Sequence, residues 1–411
     1  MQKPSHVLVL NCGSSSLKFA IVDPRDGRAL LSGIGESLGE STPRISWKCE
    51  GRKNQQPLEQ RSGHTAVIHF LVEQILSQQP ALKTDLTAIG HRVVHGGEKF
   101  SHSVLIDQAV INAINECSAL APLHNPAHLL GIEAAAKAFP ELPQIAVFDT
   151  AFHQSMPRHA YIYALPYSLY RDHGLRRYGM HGTSHRFVTE RAAEILNLPL
   201  NEINLISAHL GNGASITAVK NGQSVDTSMG LTPLEGLVMG TRSGDVDPGL
   251  LMHLGNHLAF PIQQINSLLN KESGLLGISE LSNDCRELEE AAEKGHTGAL
   301  LALEIFCYRL AKYIASYYVP LGDVDALVFT GGIGENSSVI RQKVIDYLGG
   351  LGYRLAVERN LQARFGEEGP ISADHSPMTL VIPTNEEWVI ARDAAALVPP
   401  DTPNHDALTR E

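Results

Sequence analysis

Three short segments combine glycine with polar side chains at the end of a predicted strand. A phosphate group needs backbone N–H donors that approach closely, which glycine permits because it lacks a Cβ, and hydroxyl or lysine donors that offset its charge. One such turn is more often a plain hairpin, but three in one chain favour a nucleotide-phosphate site. The segments are 11–16 (NCGSSS, with Lys18 close behind), 209–213 (HLGNG) and 331–335 (GGIGE).

These segments do not follow the common nucleotide-binding motifs. The chain has no G-x-x-x-x-G-K-[ST] sequence, and no G-x-G-x-x-G opens a first strand-helix-strand unit. Walker-type and Rossmann-type sites therefore lack their motifs. Phosphate loops between paired strands favour a duplicated, actin-like ATPase architecture instead.

An internal repeat supports this interpretation. Apolar strands 7–10 and 17–22 flank the first glycine segment, and apolar strands 205–208 and 214–219 flank the second. Asn221-Gly222 then gives a strong hairpin signal. Two similar units about 200 residues apart predict a duplicated domain.

The rest of the chain alternates between helical and strand patterns, which predicts an α/β protein. Several boundaries have specific signals: Asn125 as an N-cap before Pro126, Ser184 as the cap of a helix to Leu196, and Thr384 with Glu387 as a capping box. The other predicted elements are a helix at 64–77, strands at 86–94 and 145–148, a helix opening at Asp247-Pro248, a helix at 297–319, a strand at 326–329 that leads into a glycine loop and a helix from Ser337, and a strand at 379–382.

Composition limits the class of protein. The length of 411 residues suits two domains, and the net charge of -11 with no dense Lys/Arg run argues against nucleic acid as a partner. Five widely spaced cysteines suit thiols in a reducing compartment, and no apolar stretch is long enough for a signal core or a membrane span. We expect a cytoplasmic protein with no membrane partner.

Eight motifs, in order along the chain, resemble the acetokinase family. The resemblance runs from residue 7 to about 398 and is carried by segments 11–18, 90–98, 148–153, 178–185, 209–213, 240–245, 331–335 and 384–387. It implies the acetate and sugar kinase, Hsp70 and actin fold, in which two ribonuclease H-like domains hold ATP and substrate in a cleft. The expected domains are 1–150 completed by a helix at 384–399, and 151–383, with 400–411 as a tail.

The resemblance also implies an activity and a set of site residues. The activity is reversible, Mg²⁺-dependent phosphorylation of acetate by ATP, with Mn²⁺ as a possible substitute and a homodimer as the expected assembly. The implied residues are Arg92, Asp149, His181 and Arg242 for catalysis; Arg92, Val94, Leu123, Met180 and Pro233 for the acyl substrate; Asn11 and Glu386 for the metal; and Lys18, Ser14, Ser16, His209, Leu210, Gly211, Asn212, Gly213, Asp284, Cys285, Arg286, Gly331, Gly332, Ile333, Gly334 and Glu335 for ATP.

Each role has a plainer alternative. The arginines can form ordinary salt bridges, Asp149 and Asp284 can cap helices or form turns, and Glu386 can simply favour the first turn of a helix. His181 and His185, like His91 and His95, have the i, i+4 spacing of zinc ligands, but Gly182 places the first pair across a loop-to-helix junction. Because a carboxylic acid is ionised at neutral pH, we expect Asp149 to orient Arg92 or the metal shell and not to act as a base.

Two alternative functions remain open at this point. A propionate kinase of the same family shares these motifs, and one added methylene changes selection by only about 1 to 3 kcal/mol. The second alternative is a non-metabolic actin-like ATPase that uses nucleotide to switch shape. Such a switch does not need Arg92, His181 and Arg242 together, so these three residues favour the kinase.

Overall fold

A computed structural model describes residues 5–122 and 124–398. The chain divides into two units, one formed by the residues up to Ala151 together with the chain from Asn385 onward, and the other by Phe152–Thr384. The expected boundaries were 150/151 and 383/384. The predicted substrate residue Leu123 and the predicted tail at 400–411 lie outside the described residues.

The first unit is built on a mixed sheet of eight strands in the order β5-β4-β3-β2-β1-β6-β8-β7. Strands β1, β6 and β8 pair in parallel, and the other pairs are antiparallel. Parallel strands are covered on both faces, which explains the continuous apolar runs in this part of the sequence. The strands are β1 (His6–Cys12), β2 (Leu17–Val22), β3 (Ala29–Glu36), β4 (Arg44–Cys49), β5 (Arg52–Pro57), β6 (Leu86–Val93), β7 (Val104–Leu105) and β8 (Gln144–Phe148).

Helices connect these strands. The predicted helix at 64–77 is helical throughout but changes type: an α-helical start continues as π-helix over Leu71–Ile75 and as 3₁₀ helix over Leu76–Gln78. A further 3₁₀ turn covers Cys117–Ala119, and another, Ala151–Ser155, begins at the last residue of this unit and continues into the second. The α-helices are α1 (His64–Phe70), α2 (Pro80–Thr84), α3 (Gln108–Glu116) and α4 (Asn125–Ala138).

The second unit repeats the same sheet. Its six strands have the order β11-β10-β9-β12-β14-β13. From β11 to β14 the pairing is antiparallel, antiparallel, parallel, parallel, the same series found from β3 through β2, β1 and β6 to β8. The fold is thus the duplicated, ribonuclease H-like α/β fold, and the predicted repeat is confirmed. The strands are β9 (Leu205–Leu210), β10 (Ala214–Lys220), β11 (Gln223–Thr227), β12 (Ala326–Thr330), β13 (Gly369–Pro370) and β14 (Thr379–Val381).

The hairpin between β10 and β11 follows its sequence signal. Asn221 and Gly222 have φ angles of 53° and 74°, as a two-residue turn with both central residues in the left-handed region requires.

Twelve α-helices and the 3₁₀ turn Leu348–Leu351 lie wholly within the second unit, among the described residues. They are α5 (Arg158–Tyr161), α6 (Tyr167–His173), α7 (Gly182–Leu196), α8 (Pro248–His257), α9 (Ile262–Lys271), α10 (Gly274–Ser279), α11 (Cys285–Glu293), α12 (Thr297–Ser316), α13 (Tyr318–Leu321), α14 (Gly331–Asn336), α15 (Ser338–Tyr347) and α16 (Val357–Gln362). The chain then returns to the first unit, where α17 (Glu386–Ala396) packs on β1, β6 and β8. No described helix is long and apolar enough to cross a membrane.

Three predicted helix caps were wrong. Asn125 is the first residue of α4, and its buried amide bonds to the backbone of His95 and Ile114. Ser184 lies inside the first turn of α7, after His181 as the residue before the helix. Asn385, and not Thr384, caps α17 by accepting from the N–H of Trp388. Asn125, Ser184 and Thr384 each use their side chain in a hydrogen bond to a residue distant in sequence, and not in a helix cap.

The third glycine segment also differs from its prediction. Residues 331–335 are helical and form most of α14, where a loop was expected. Fully buried Arg341 holds the end of this helix, donating to the carbonyl oxygens of Gly334 and Glu335 at 2.8 and 2.9 Å. Its other N–H groups bond to Asn360 and Ala363. Burial lowers the pKa of Arg341 to about 10, with a further contribution from Arg364.

We expect Arg341→Met to lower the free energy of unfolding by about 3 kcal/mol or more, because several buried oxygen atoms would lose their donor. Arg359→Met is the matched control, since half-exposed Arg359 also bonds to a carbonyl oxygen and approaches Asp374 at 3.4 Å. This control substitution should lower the free energy of unfolding by no more than about 1 kcal/mol. Urea unfolding at a fixed protein concentration measures both, and equal losses would contradict the role of Arg341.

Candidate functional site

In the first unit, an arginine and an aspartate meet at the carboxyl ends of two parallel strands. Arg92 lies near the end of β6, and Asp149 directly follows β8. The Nε of Arg92 donates to Oδ1 of Asp149 at 3.1 Å, and Nη2 donates to Oδ2 at 2.6 Å. This is the two-pronged pairing that fixes the plane of a guanidinium. Two N–H groups on Nη1 are not used by Asp149.

Glu386, in the first turn of α17, joins this pair. Its Oε2 lies 3.8 Å from the Nε of Arg92. Burial raises the pKa of Glu386, Asp149 raises it further, and the charges of Arg92 and Lys18 oppose this. The pKa of Arg92 is held above its usual value because the carboxylates of Asp149 and Glu386 outweigh the effect of burial. The Glu386 carboxylate is only partly buried, so a cation from the solvent could bind beside it.

The first unit offers oxygen donors of the kind that Mg²⁺ prefers. Asn11 lies in β1 directly opposite Lys18 in β2, and carries an amide oxygen; Glu386 carries a carboxylate. Mg²⁺ keeps several waters and needs only one or two protein ligands, so this donor set fits it. Among the described residues there is no group of three or more His, Cys, Asp or Glu side chains that could hold a metal ion.

The first glycine segment forms a tight turn. The N–H of Gly13 donates to the carbonyl oxygen of Ser16 at 2.7 Å, and His64 Nε2 lies 2.7 Å from the Gly13 oxygen. Ser14 is exposed and Ser16 half-buried. Val94 is buried just beyond β6. The hydroxyls of this turn are therefore available to a ligand of the first unit.

In the second unit, His181 and Arg242 both face the turn at Gly213. A Cβ at Gly213 would lie 3.6 Å from Nη1 of Arg242 and 3.6 Å from Nε2 of His181. Arg242 donates to the carbonyl oxygen of Pro233 at 3.3 Å, and no carboxylate of the described chain pairs with it. Burial lowers the pKa of Arg242. A partly buried guanidinium without a counter-charge, beside an imidazole, is suited to an anion.

His181 is held by a set of serine and histidine side chains. It has a φ of 57°, a conformation that is uncommon outside glycine and occurs often at functional sites. Its Nδ1 contacts Ser215 Oγ at 2.9 Å, and its ring stacks on His209 with centroids 4.3 Å apart. His185 is buried between Ser207 and Ser215, and burial lowers its pKa well below the usual value.

Sequence reasoning missed Ser207 and Ser215. Both are fully buried polar residues in strands whose other positions are mostly apolar, which is the signal that could have found them. The neighbouring predicted residue Met180 is buried, and its carbonyl oxygen contacts His153 Nε2 at 2.9 Å.

A cavity of about 820 Å³ lies within the second unit. It is lined by seven of the residues predicted to bind ATP: Gly211, Asn212, Asp284, Cys285, Arg286, Gly332 and Ile333. Its lining also includes residues that sequence reasoning missed, among them Asn283, Glu289, Arg364 and Phe365. These follow no recognisable motif. The predicted adenosine-contacting residues and two of the glycine segments thus meet at one cavity.

Other predicted ATP residues have structural partners. The Glu335 carboxylate accepts from the N–H of Gly331 at 2.9 Å and from the N–H of Thr384 at 3.0 Å. Asp284 caps α11, as its alternative reading proposed, and also pairs with Arg286. Leu210 and Gly334 are buried. Asp284 and Arg286 line the cavity, whereas Leu210, Gly334 and Glu335 are not among its lining residues.

Comparisons with known proteins show the family of this chain. A family model described as "Acetokinase family" matches residues 6–392. An acetate kinase from Shewanella sp. (strain ANA-3) is 62% identical over 392 residues, which are 95% of this chain and 98% of the relative. The chain belongs to the acetokinase family.

Solved structures of this family superpose closely. A propionate kinase from Francisella tularensis subsp. tularensis SCHU S4 gives a TM-score of 0.91 at 48% identity, and acetate kinase from Porphyromonas gingivalis gives 0.89 at 45%. Each comparison covers 96% of this chain and 100% of the solved chain. The fold described above is therefore that of the acetokinase family over nearly the whole chain.

Proposed function

We propose that this chain is an acetate kinase that transfers the γ-phosphoryl group of ATP to acetate, giving acetyl phosphate and ADP. The observation that carries the proposal is that Arg242 and His181 both lie beside the Gly213 turn. Arg242 has no carboxylate partner among the described residues. Phosphoryl transfer depends on positioning and on donors that stabilise charge on the equatorial oxygens. The acetate kinases among its relatives support the choice of substrate.

The residues of the first unit have distinct parts in this proposal. Arg92 binds the acetate carboxylate and the moving phosphoryl group through N–H groups that Asp149 leaves unused. Acetate is already ionised at neutral pH, so no base is required. Asp149 instead fixes the plane of the Arg92 guanidinium. Transfer is direct and in line, without a covalent enzyme intermediate.

A divalent cation, Mg²⁺ with Mn²⁺ as a substitute, completes the proposal. Asn11 and Glu386 would hold it together with water, and it would neutralise charge on the ATP phosphates when bound. Lys18, Ser14 and Ser16 would donate to phosphate oxygens. In the second unit the cavity would take the adenosine part at Asp284, Cys285 and Arg286, with Gly211, Asn212 and Gly332 toward the phosphates.

The second candidate is a propionate kinase, because one of the closely superposing structures carries that name. Val94, Leu123, Met180 and Pro233 are the proposed acyl-pocket residues. Acetate has four non-hydrogen atoms, and a ceiling of about 1.5 kcal/mol per atom limits its binding to roughly 6 kcal/mol. One more methylene changes the selection between the two acids by only about 1 to 3 kcal/mol, in either direction. We therefore expect propionate to be accepted, with a lower kcat/KM.

A panel of carboxylic acids from formate to butyrate, incubated with Mg-ATP and hydroxylamine, tests this function. We expect acetohydroxamate to form fastest, with kcat/KM for acetate about tenfold above that for propionate. EDTA should abolish the reaction. A higher value for propionate would assign a propionate kinase, and ATP hydrolysis without any hydroxamate would assign a nucleotide-driven switch.

We further propose a cytoplasmic homodimer. Five thiols without a disulfide suit a reducing compartment. Helix α8 buries none of its residues although its sequence is largely apolar, and Leu250, Met252, Leu258 and Ile262 are exposed on α8, α9 and the segment between them. A second copy of the chain would cover this apolar surface. Light scattering should give twice the chain mass, and a monomer at micromolar concentration would contradict the proposal.

A further inference from the structure

A chain of hydroxyl groups ends on the histidine that stacks against His181. Thr384, three residues beyond β14, donates its hydroxyl hydrogen to Ser184 Oγ at 2.8 Å. Ser184 Oγ in turn lies 2.8 Å from Nδ1 of His209. The backbone N–H of Thr384 donates to the Glu335 carboxylate. Thr384 is therefore held both by its backbone and by its hydroxyl group.

The direction of the Thr384 hydrogen bond favours one tautomer of the His209 ring. Because Thr384 donates to Ser184, the hydroxyl hydrogen of Ser184 is free to point at Nδ1 of His209. Nδ1 then accepts, and a neutral ring must carry its hydrogen on Nε2.

The tautomer and charge of His209 affect His181, because the two rings are in contact. The two rings stack at 4.3 Å with an angle of 28°, and the ring of His185 lies 6.3 Å away. Ser215 lies opposite His209 in β10, and its hydroxyl contacts His181 and His185. A neutral His209 can support a protonated His181 beside a phosphoryl group, whereas a charged one would repel it.

We infer that Ser184 and Thr384 are positioning residues: their hydroxyl chain holds His209 in the Nε2–H tautomer and keeps its ring against His181. The structural part of this inference stands on the hydrogen bonds alone. Its kinetic consequence rests on the proposed acetate kinase function, and the two parts are tested separately.

The tautomer is measured by long-range ¹H–¹⁵N NMR on full-length, ligand-free protein labelled in histidine, with the His209 signals assigned from His209→Gln. We expect a pyrrole-type Nε2 and a pyridine-type Nδ1 in the unsubstituted protein. Thr384→Val and Ser184→Ala should each shift His209 toward the other tautomer, and Thr384→Ser should restore the first. A hydrogen on Nδ1 in the unsubstituted protein, or no change in either variant, would overturn the inference.

Kinetics supply the second readout. Thr384→Val should lower kcat for acetyl phosphate formation by about tenfold or more while KM for acetate changes less than about twofold, and Thr384→Ser should recover most of the loss. An unchanged kcat with a changed tautomer would remove the positioning role. Absence of acetyl phosphate from the unsubstituted protein would instead reject the proposed function and leave the NMR result valid. Circular dichroism on each variant checks that it is folded, and Ser184→Ala replaces Thr384→Val if the latter is not.

Discussion

Arg92→Lys should lower kcat for acetyl phosphate formation by about a thousandfold. Lysine keeps the charge but cannot pair with both oxygens of Asp149 while also presenting donors to a ligand. A well-placed arginine is worth about three to five powers of ten in phosphoryl transfer, and the retained charge should preserve part of that. Steady-state measurement with saturating acetate and Mg-ATP gives the value.

Arg25→Lys is the matched control in the same unit. Arg25 forms the same two-pronged pair, with Nε 2.9 Å from Oδ1 of Asp23 and Nη2 2.5 Å from Oδ2. Its partner is buried as deeply as Asp149, but the Arg25 side chain is 64% exposed. We expect kcat to stay within about twofold. Equal losses in the two variants would show that the Arg92 effect reflects only a broken ion pair.

Arg242→Ala should lower kcat by about three to five powers of ten with little change in folding stability. The guanidinium makes only a carbonyl hydrogen bond and a thioether contact within the described chain, so its removal leaves no buried carboxylate unpaired. Added guanidinium ion should restore part of the rate. The measurements are kcat, KM and the midpoint of thermal unfolding.

Arg309→Ala is the control that distinguishes a catalytic role of Arg242 from a role in holding its loop. Arg309 also donates to carbonyl oxygens of the same loop, those of Gly236 and Asp245, and lies 3.8 Å from the Asp245 carboxylate. If Arg242 acted only by holding this loop, the two variants would lose similar activity. We expect the Arg309 variant to retain at least about a third of kcat.

The fold was largely predictable because its signals are local. Alternating and continuous apolar runs predicted the strands on each side of the first two glycine segments, and the similarity of those units predicted the repeat. The helical form of 331–335 was not predictable from glycine content. Glu335 and Arg341 hold the two ends of that helix through side chains that local preference cannot take into account.

Some features of the candidate site could also be predicted from the sequence, and others depend on tertiary contacts. The glycine segments and the charged residues near them could be identified from the sequence, and the family resemblance assigned them roles. The pairing of Arg92 with Asp149 depends on the parallel register of β6 and β8, which connects residues far apart in the chain. Ser184 has the composition of a cap, but its hydroxyl is used by His209 and Thr384, so tertiary contacts override the local preference.

The return of α17 to the first sheet has a consequence for biosynthesis. Ile390 and Ala394 of this helix cover Val9, Ala88 and Val147, and a Cβ at Gly90 would lie 2.5 Å from the Ile390 side chain. During synthesis, α17 therefore leaves the ribosome only after the whole of Phe152–Thr384, long after the strands that it covers. Until then one apolar face of the nascent sheet stays bare, and the growing polypeptide depends on chaperones or on rapid completion to avoid aggregation.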